Sequence, residues 1–200
     1  MRRLLVILLL TAGLAGCLPP PPLYKDPLAG IMPVSPAVFP IDAPVTVEQP
    51  AGLIVSDNTE LYLQYYIASD KAINGNFGSP DDDIHRDMNP KFVVDRITYL
   101  LRSRYPNIEL IDDMNAADRL RKKTIFVVDV QATFKQIAGQ TTMFDFTVFA
   151  FDTQRRPVSK ITGHGEAIVP LQTVAQNIGV QAAANQALQE LDHKITASFR

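Results

Sequence analysis

The sequence has one cysteine, no long hydrophobic run and almost no excess of charge of either sign. A single cysteine excludes an intramolecular disulfide, so the fold must depend on its hydrophobic core even in a compartment that permits disulfides. The apolar stretch Leu4–Leu10 is shorter than the ~20 residues that a membrane-spanning helix needs. The net charge is −2, with no basic block, which excludes the electrostatic footprint of a nucleic-acid-binding protein.

Familiar catalytic motifs are also missing. The sequence contains no glycine-rich phosphate loop, no G-x-S-x-G nucleophile motif and no CxxC pair. Its three histidines, His85, His164 and His193, do not stand at the spacing of metal ligands. We therefore expect no cofactor and no metal, and we predict that the protein is not an enzyme.

The most specific feature lies in the first 17 residues. Arg2 and Arg3 precede the apolar stretch Leu4–Leu10, and Leu14-Ala15-Gly16-Cys17 follows it. A short positive region, a hydrophobic region and a small-residue cleavage site make an export signal. A cysteine directly after the small residues is the mark of a bacterial lipoprotein signal.

This pattern predicts cleavage between Gly16 and Cys17 and attachment of acyl chains to Cys17. The protein would then be held on a membrane by its lipid. In enteric bacteria an aspartate after the lipidated cysteine retains a lipoprotein at the inner membrane. Leu18 occupies that position, which favours the outer membrane, facing the periplasm.

Ten of the fifteen prolines lie between Leu18 and Pro50. Proline removes a backbone donor and fixes φ, so this stretch is not expected to form a helix or a central strand. The sequence predicts a signal at 1–16, a disordered proline-rich tether at 17–50 and one periplasmic domain at 51–200. Fully extended at about 3.1 Å per residue, such a tether reaches roughly 100 Å. Two roles for this stretch remain open: a spacer that holds the domain away from the membrane, and an unstructured leader with no further role.

From residue 51 the patterns predict an α+β domain. Residues 125–134 alternate apolar and polar side chains, which is typical of a strand with one buried face. The predicted strands are 52–56, 108–111, 125–134, 142–151 and 158–169, and the predicted helices are 89–104, 116–122 and 173–199. Residues 57–68 fit either a helix or a strand, and strand is favoured. The expected architecture is a mainly antiparallel sheet with helices packed on one face.

Three groups of polar or aromatic residues are candidates for function. Tyr62, Tyr65 and Tyr66 are a possible partner-binding surface, because tyrosine is enriched at interfaces, or they fill the core. The loop Asp81–Asp87, with His85, offers oxygen ligands for a cation such as Ca²⁺, but a solvated acidic loop is the favoured interpretation.

His164 and Glu166 share one face of the last predicted strand. A catalytic pair would also need a nucleophile. Gly163 and Gly165 flank the histidine, and they more readily indicate a bulge or close packing beneath the last helix.

The order of elements resembles the periplasmic domain of curli-secretion-type lipoproteins and of lipoprotein activators of penicillin-binding proteins. The segments that carry this resemblance are Leu53-Ile54-Val55, the helix at 92–101 that leads into Asn107–Ile111, the meander, and Gly163-His164-Gly165-Glu166-Ala167. Ala182–Leu188 is similar to the closing helix of auxiliary lipoproteins of lipid-transporting ABC systems.

The resemblance implies an envelope lipoprotein that acts as a non-enzymatic adaptor or accessory in envelope assembly or transport, with an envelope protein as partner and an unknown oligomeric state. The alternative is a carrier that holds a lipid or another apolar ligand between sheet and helix. That carrier requires a cavity lined by residues such as Phe144, Phe146 and Phe149.

Overall fold

The computed structural model describes residues 22–29, 31, 38–64, 90–136, 140–169 and 176–199, which form five strands and four helices. The strands are β1 (Ala51–Val55), β2 (Ile108–Leu110), β3 (Thr124–Gln136), β4 (Gln140–Phe151) and β5 (Pro157–Val169). The helices are α1 (57–64), α2 (Pro90–Arg104), α3 (Met114–Arg119) and α4 (Gln176–Ser198).

The strands form one sheet in the order β2-β1-β3-β4-β5. β1 pairs in parallel with both β2 and β3, and β3, β4 and β5 form an antiparallel meander. Strands joined by short turns become antiparallel, whereas the helical connections between β1, β2 and β3 return the chain in the same direction. The α+β prediction is confirmed, but the sheet is mixed rather than mainly antiparallel in its first half.

Helices α2 and α4 cover one face of the sheet and enclose the larger core. The helical side chains of this core recur every three or four residues, which explains why the periodicity predicted both helices. They are Val93, Ile97 and Leu101 of α2, and Ala183, Ala187, Leu188, Leu191 and Ile195 of α4.

The opposite face is covered in part by α3 and by residues 22–29, 31 and 38–50, hereafter the N-terminal segment. Leu28 packs with Ile54, Val127 and Phe151 in a second buried cluster. Ile31 and Phe39 pack against this cluster as well. The helices are therefore not confined to one face, because the apolar side chains of β1, β3 and β4 on this second face also need cover.

Residues 57–64 are helical, so the favoured strand prediction for 57–68 is wrong over the described residues. Ser56 begins the helix: the Thr59 N–H donates to Ser56 Oγ at 3.2 Å, and the Glu60 N–H donates to the Ser56 carbonyl at 3.1 Å. The Thr59 hydroxyl in turn accepts the Val130 N–H at 2.9 Å. Capping and tertiary bonds override the strand preference of Leu61, Tyr62 and Leu63, which follow.

Gly163 and Gly165 let α4 approach β5 closely, as the sequence predicted. A Cβ on Gly163 would lie 2.1 Å from the Ala187 carbonyl oxygen, and one on Gly165 would lie 1.9 Å from the Ala183 carbonyl oxygen. Both distances are far below van der Waals contact, so only glycine fits at these two positions.

Side chains of α4 also cover the outer edge of β5. Lys194 Nζ donates to the Thr162 carbonyl at 2.8 Å, and the His164 N–H donates to Glu190 at 2.8 Å. The Glu166 N–H donates to Gln186 at 3.3 Å. An uncovered edge strand is a template for pairing with other chains, and these contacts block that pairing along the middle of β5.

Candidate functional site

The N-terminal segment is bound to the domain by backbone hydrogen bonds. The Asp42 N–H donates to the Lys160 carbonyl at 3.0 Å, and the Lys160 N–H donates to the Pro40 carbonyl at 2.9 Å. The Val45 N–H donates to the Ser198 carbonyl at 2.8 Å. The sequence predicted a disordered proline-rich tether over 17–50, and the described part of that range lies against β5 and α4. Contacts with the domain therefore begin well before residue 51.

A buried carboxylate holds the start of this segment. Asp129 is 1% exposed, and it accepts hydrogen bonds from the Tyr24 hydroxyl at 2.7 Å and from Ser56 Oγ at 2.5 Å. Burial raises the pKa of Asp129 above its ordinary value, while the bonds from Ser56 and Tyr24 oppose that rise. Burial and the bond to Asp129 also raise the pKa of the Tyr24 hydroxyl, which therefore stays protonated as a donor.

Asn58 adds a second contact next to this carboxylate. Its side-chain oxygen accepts the Lys25 N–H at 3.0 Å, and its amide nitrogen donates to the Lys25 carbonyl at 2.7 Å. One side chain thus satisfies both backbone groups of a residue 33 positions earlier in the chain. The N-terminal segment is in this way fixed at the start of α1 as well as along β5.

Between the N-terminal segment and the sheet lies an open cleft of about 610 Å³. The N-terminal segment forms one wall, and side chains of β3, β4 and β5 form the floor. The apolar lining residues are Pro27, Leu28, Phe39, Ile41 and Phe149, and the polar ones are Tyr24, Asp26, Gln131, Asp145, Thr147, Lys160 and Thr162.

The cleft places a cation and a carboxylate on neighbouring strands. Lys160 Nζ lies 5.6 Å from the centre of the Phe149 ring, in cation–π range. Asp145 Oδ1 is 2.7 Å from Nδ1 of His164, which lies directly across from it in the β4–β5 ladder. Two residue pairs further along the ladder, on the same face, the hydroxyls of Thr147 and Thr162 are 3.0 Å apart. The arrangement can bind a polar ligand that carries both an anionic and a cationic group.

His164 is positioned as a structural partner rather than beside a nucleophile. Its ring bonds to Asp145, and its backbone N–H bonds to Glu190 on α4. Glu190 also pairs with Lys194 at 2.8 Å, and this contact lowers the pKa of the Glu190 carboxyl. Among the hydrogen bonds of the described residues, none joins the imidazole to a serine or threonine hydroxyl.

The aromatic residues proposed for a lipid cavity do not lie together. Phe144 and Phe146 are buried in the core beneath α4, with ring centres 5.5 Å apart. Phe149 belongs to the other face, where its ring packs 5.1 Å from that of Phe39. Alternate residues of a strand point to opposite faces, so these three side chains cannot line one cavity between sheet and helix.

Several predicted residues fall outside the described part of the chain: Gly16, Cys17, Tyr65, Tyr66 and the loop Asp81–Asp87. Tyr62 is described, is partly buried and packs against the larger core. Within the described ranges, no three metal-ligating side chains come together. No helix there is long and apolar enough to cross a membrane.

Apart from Phe149, which the sequence suggested for a different cavity, the residues that line the cleft were not predicted as site residues. In the sequence, Asp129 falls on the polar face of the alternating stretch 125–134. An aspartate between Val128 and Val130 in a strongly apolar strand is itself a signal of a buried polar contact. No local sequence pattern marks Lys160 as a functional residue. Its neighbours across the cleft come from a segment more than a hundred residues earlier.

No known protein family and no curated protein matches this sequence. Among solved structures, the PelC dodecamer from Paraburkholderia phytofirmans is 9% identical, with 80% of this chain and 91% of that chain covered, at a TM-score of 0.36. The hypothetical protein CT253 from Chlamydia trachomatis is 12% identical, with 78% and 95% covered, at 0.33.

A minor lipoprotein from Acinetobacter baumannii is 13% identical, with 79% of this chain and 94% of that chain covered, at a TM-score of 0.27. Similarities at this level define neither a family nor a function for the chain. The resemblance to curli-type, activator and ABC-auxiliary lipoproteins stays a prediction.

Proposed function

We propose that this protein is a lipoprotein anchored through Cys17 to the outer membrane, facing the periplasm, and that it acts there as a non-enzymatic accessory in envelope assembly or transport. The observation that carries the proposal is the attachment of the N-terminal segment to the sheet, directly downstream of the cysteine that the signal pattern marks for lipidation.

The docked segment limits how far the domain can leave the membrane. Tyr24, which bonds to Asp129, is only seven residues after Cys17. Seven fully extended residues span at most about 25 Å. The domain is thus held close to the bilayer instead of at the roughly 100 Å that an extended tether over 17–50 would allow. A partner in or on the same membrane fits this geometry, because a short tether raises the local concentration of the domain there.

The partners of His164 support a non-enzymatic role. The ring is bonded to Asp145, and the adjacent glycines serve the packing of α4. General acid–base or nucleophilic catalysis would need a reacting group within hydrogen-bond reach of that ring. The contacts of His164 are instead those of a residue that connects β4, β5 and α4.

Metabolic labelling tests the anchor. In a Gram-negative host supplied with an alkyne-tagged fatty acid, we expect the wild-type chain to become labelled and to fractionate with the outer membrane. Cys17→Ser, which removes the only thiol, should be unlabelled. A wild-type chain that stays unlabelled and leaves the membrane with a salt wash would contradict the proposal.

Photo-crosslinking in the same cells tests the accessory role. A photoreactive residue placed at Tyr99, Leu110 or Ile168, which are exposed apolar positions at 69%, 57% and 69%, should yield a discrete crosslinked envelope protein at one of them. Gln154, at the exposed β4–β5 turn, is the control position. Absence of a protein adduct at all three apolar positions, in a chain shown to be lipidated, would argue against an adaptor.

A further inference from the structure

We propose that the cleft between the N-terminal segment and β3–β5 binds the headgroup of a phospholipid that carries a primary ammonium beside its phosphate, with Lys160 contacting the phosphate and Asp145 contacting the ammonium. The lipid source of this headgroup rests on the proposed anchoring at Cys17. The binding chemistry itself does not.

Lys160 is suited to a phosphate. Its backbone is held on both sides, by the Pro40 carbonyl and the Asp42 N–H, so the side chain starts from a fixed point. Its ammonium lies over the Phe149 ring. Its positive charge also opposes the rise in the pKa of the buried Asp129, so the ammonium acts on groups inside the domain as well as on the cleft. A lysine ammonium is a compact point charge with three donors, and it is a common phosphate ligand in proteins.

The carboxylate of Asp145 is suited to the ammonium. It accepts from His164 through Oδ1, and an ionised carboxylate has about four acceptor positions over its two oxygens. Asp145 is paired across β4–β5 with His164, and Lys160 is paired with Phe149, four residue pairs along the same ladder. The two charged residues therefore stand on one face of adjacent strands, with their backbones roughly 13 Å apart along the strand direction at about 3.3 Å per residue. A headgroup must accordingly bridge them, with its phosphate at the Lys160 end and its ammonium at the Asp145 end.

One exposed apolar side chain of the N-terminal segment lines the cleft, and two more stand next to lining residues in the sequence. Leu23, Val38 and Ile41 are 87%, 86% and 79% exposed. Ile41 lines the cleft, and Leu23 and Val38 adjoin its lining residues Tyr24 and Phe39. Apolar groups placed around a headgroup site can enter the acyl boundary of a bilayer, where their burial is favourable.

The short connection to Cys17 favours a bilayer lipid over a soluble peptide as the occupant. The wall of the cleft includes Tyr24, which stays within about 25 Å of the anchor. A headgroup of the anchoring leaflet is thereby present near the site at high local concentration.

The first test uses a soluble headgroup and needs no lipidation. The chain from residue 17 with Cys17→Ser retains every residue that the structure describes. We expect titration with glycerophosphoethanolamine to shift the NMR signals of Asp145, Lys160 and Thr162. Glycerophosphocholine, whose trimethylammonium has no N–H donor, should bind about tenfold more weakly, as expected for loss of a charge-assisted hydrogen bond.

Lys160→Met is the test variant, because methionine keeps most of the side-chain length and its contact with Phe149. We expect it to weaken binding about tenfold. Lys123→Met is the matched control: Lys123 is a 53% exposed lysine outside the cleft, 3.9 Å from Glu48, and its substitution should change nothing. Equal binding by Lys160→Met, equal shifts with inorganic phosphate alone, or no shifts in the cleft would overturn the proposal.

The second test identifies the source of the headgroup. The same unlipidated chain should float with phosphatidylcholine vesicles that contain phosphatidylethanolamine and not with phosphatidylcholine alone, and both Lys160→Met and Ile41→Ser should reduce flotation. Binding of the soluble headgroup without vesicle binding would overturn a membrane source. Because neither test uses the acyl chains of Cys17, their outcome is independent of the labelling experiment on the anchor.

Discussion

A chain that begins at residue 51, the boundary that the proline content indicates, is expected not to fold stably. It lacks Leu28, Phe39 and Val45, two of which are only 6% exposed in the core clusters. Fully burying a large apolar side chain contributes about 1.5–3 kcal/mol, so three such side chains contribute up to roughly 4.5–9 kcal/mol. The total stability of a domain is only about 5–15 kcal/mol.

Thermal unfolding followed by circular dichroism measures this effect. A chain from residue 22 should show a cooperative transition. A chain from residue 38 should melt at a temperature between those of the chains from residues 22 and 51, because it keeps Phe39 and Val45 but lacks Leu28 and Tyr24. The chain from residue 51 should melt at least about 10 °C lower than the chain from residue 22, or without a cooperative transition. Equal melting temperatures for all three chains would mean that the N-terminal segment does not contribute to the fold.

Gly165→Ala is expected to destabilise the protein by about 3 kcal/mol or more, the upper end of what overpacking costs. The added Cβ would lie 1.9 Å from the Ala183 carbonyl oxygen and 2.7 Å from the Ala187 nitrogen, both backbone atoms of α4. Backbone cannot rotate away as a side chain does, so α4 must shift relative to β5. That shift would also break the bond between the His164 N–H and Glu190.

Gly52→Ala is the control for this prediction. Its Cβ would meet the end of the Ile111 side chain, at 2.6 Å from Cδ1, and that end can move. Alanine also restricts the unfolded chain, which stabilises by about 0.4–1 kcal/mol. Urea denaturation should therefore show a small change for Gly52→Ala and a large loss for Gly165→Ala. Similar midpoints for the two variants would contradict the close packing of α4 on β5.

The local part of the fold could be predicted from the sequence because its signals are local. Pro90 at the first position of α2, and the recurrence of Val93, Ile97 and Leu101 along it, identify that helix. The alternation in β3, β4 and β5, with turn residues between them, identifies the meander. The parallel pairing of β1 with β2 and β3 has no such signal, since it depends on contacts between strands far apart in the chain.

The N-terminal segment shows where composition misleads. Its prolines do prevent regular structure, since residues 38–50 form only isolated bridges at Ile41 and Val45. A segment without helix or strand can nevertheless pack against the domain. Phe39 packs on Phe149 and Phe151, and Tyr24 reaches Asp129, 105 residues later. No pattern within the segment specifies those partners, so neither the cleft nor its residues could be derived from the sequence.

The most direct test of the account is hydrogen exchange at the amides of Asp42, Val45 and Lys160, measured by NMR on the chain from residue 17 with Cys17→Ser. These three N–H groups bond between the N-terminal segment and the domain. If the segment is part of the fold, they exchange far more slowly than an unstructured chain, with Lys160 protected although it lies on an edge strand. Exchange of Asp42 and Val45 at the rate of an unstructured chain would mean that the segment is a free tether, and both the cleft and the short connection to the membrane would then be lost.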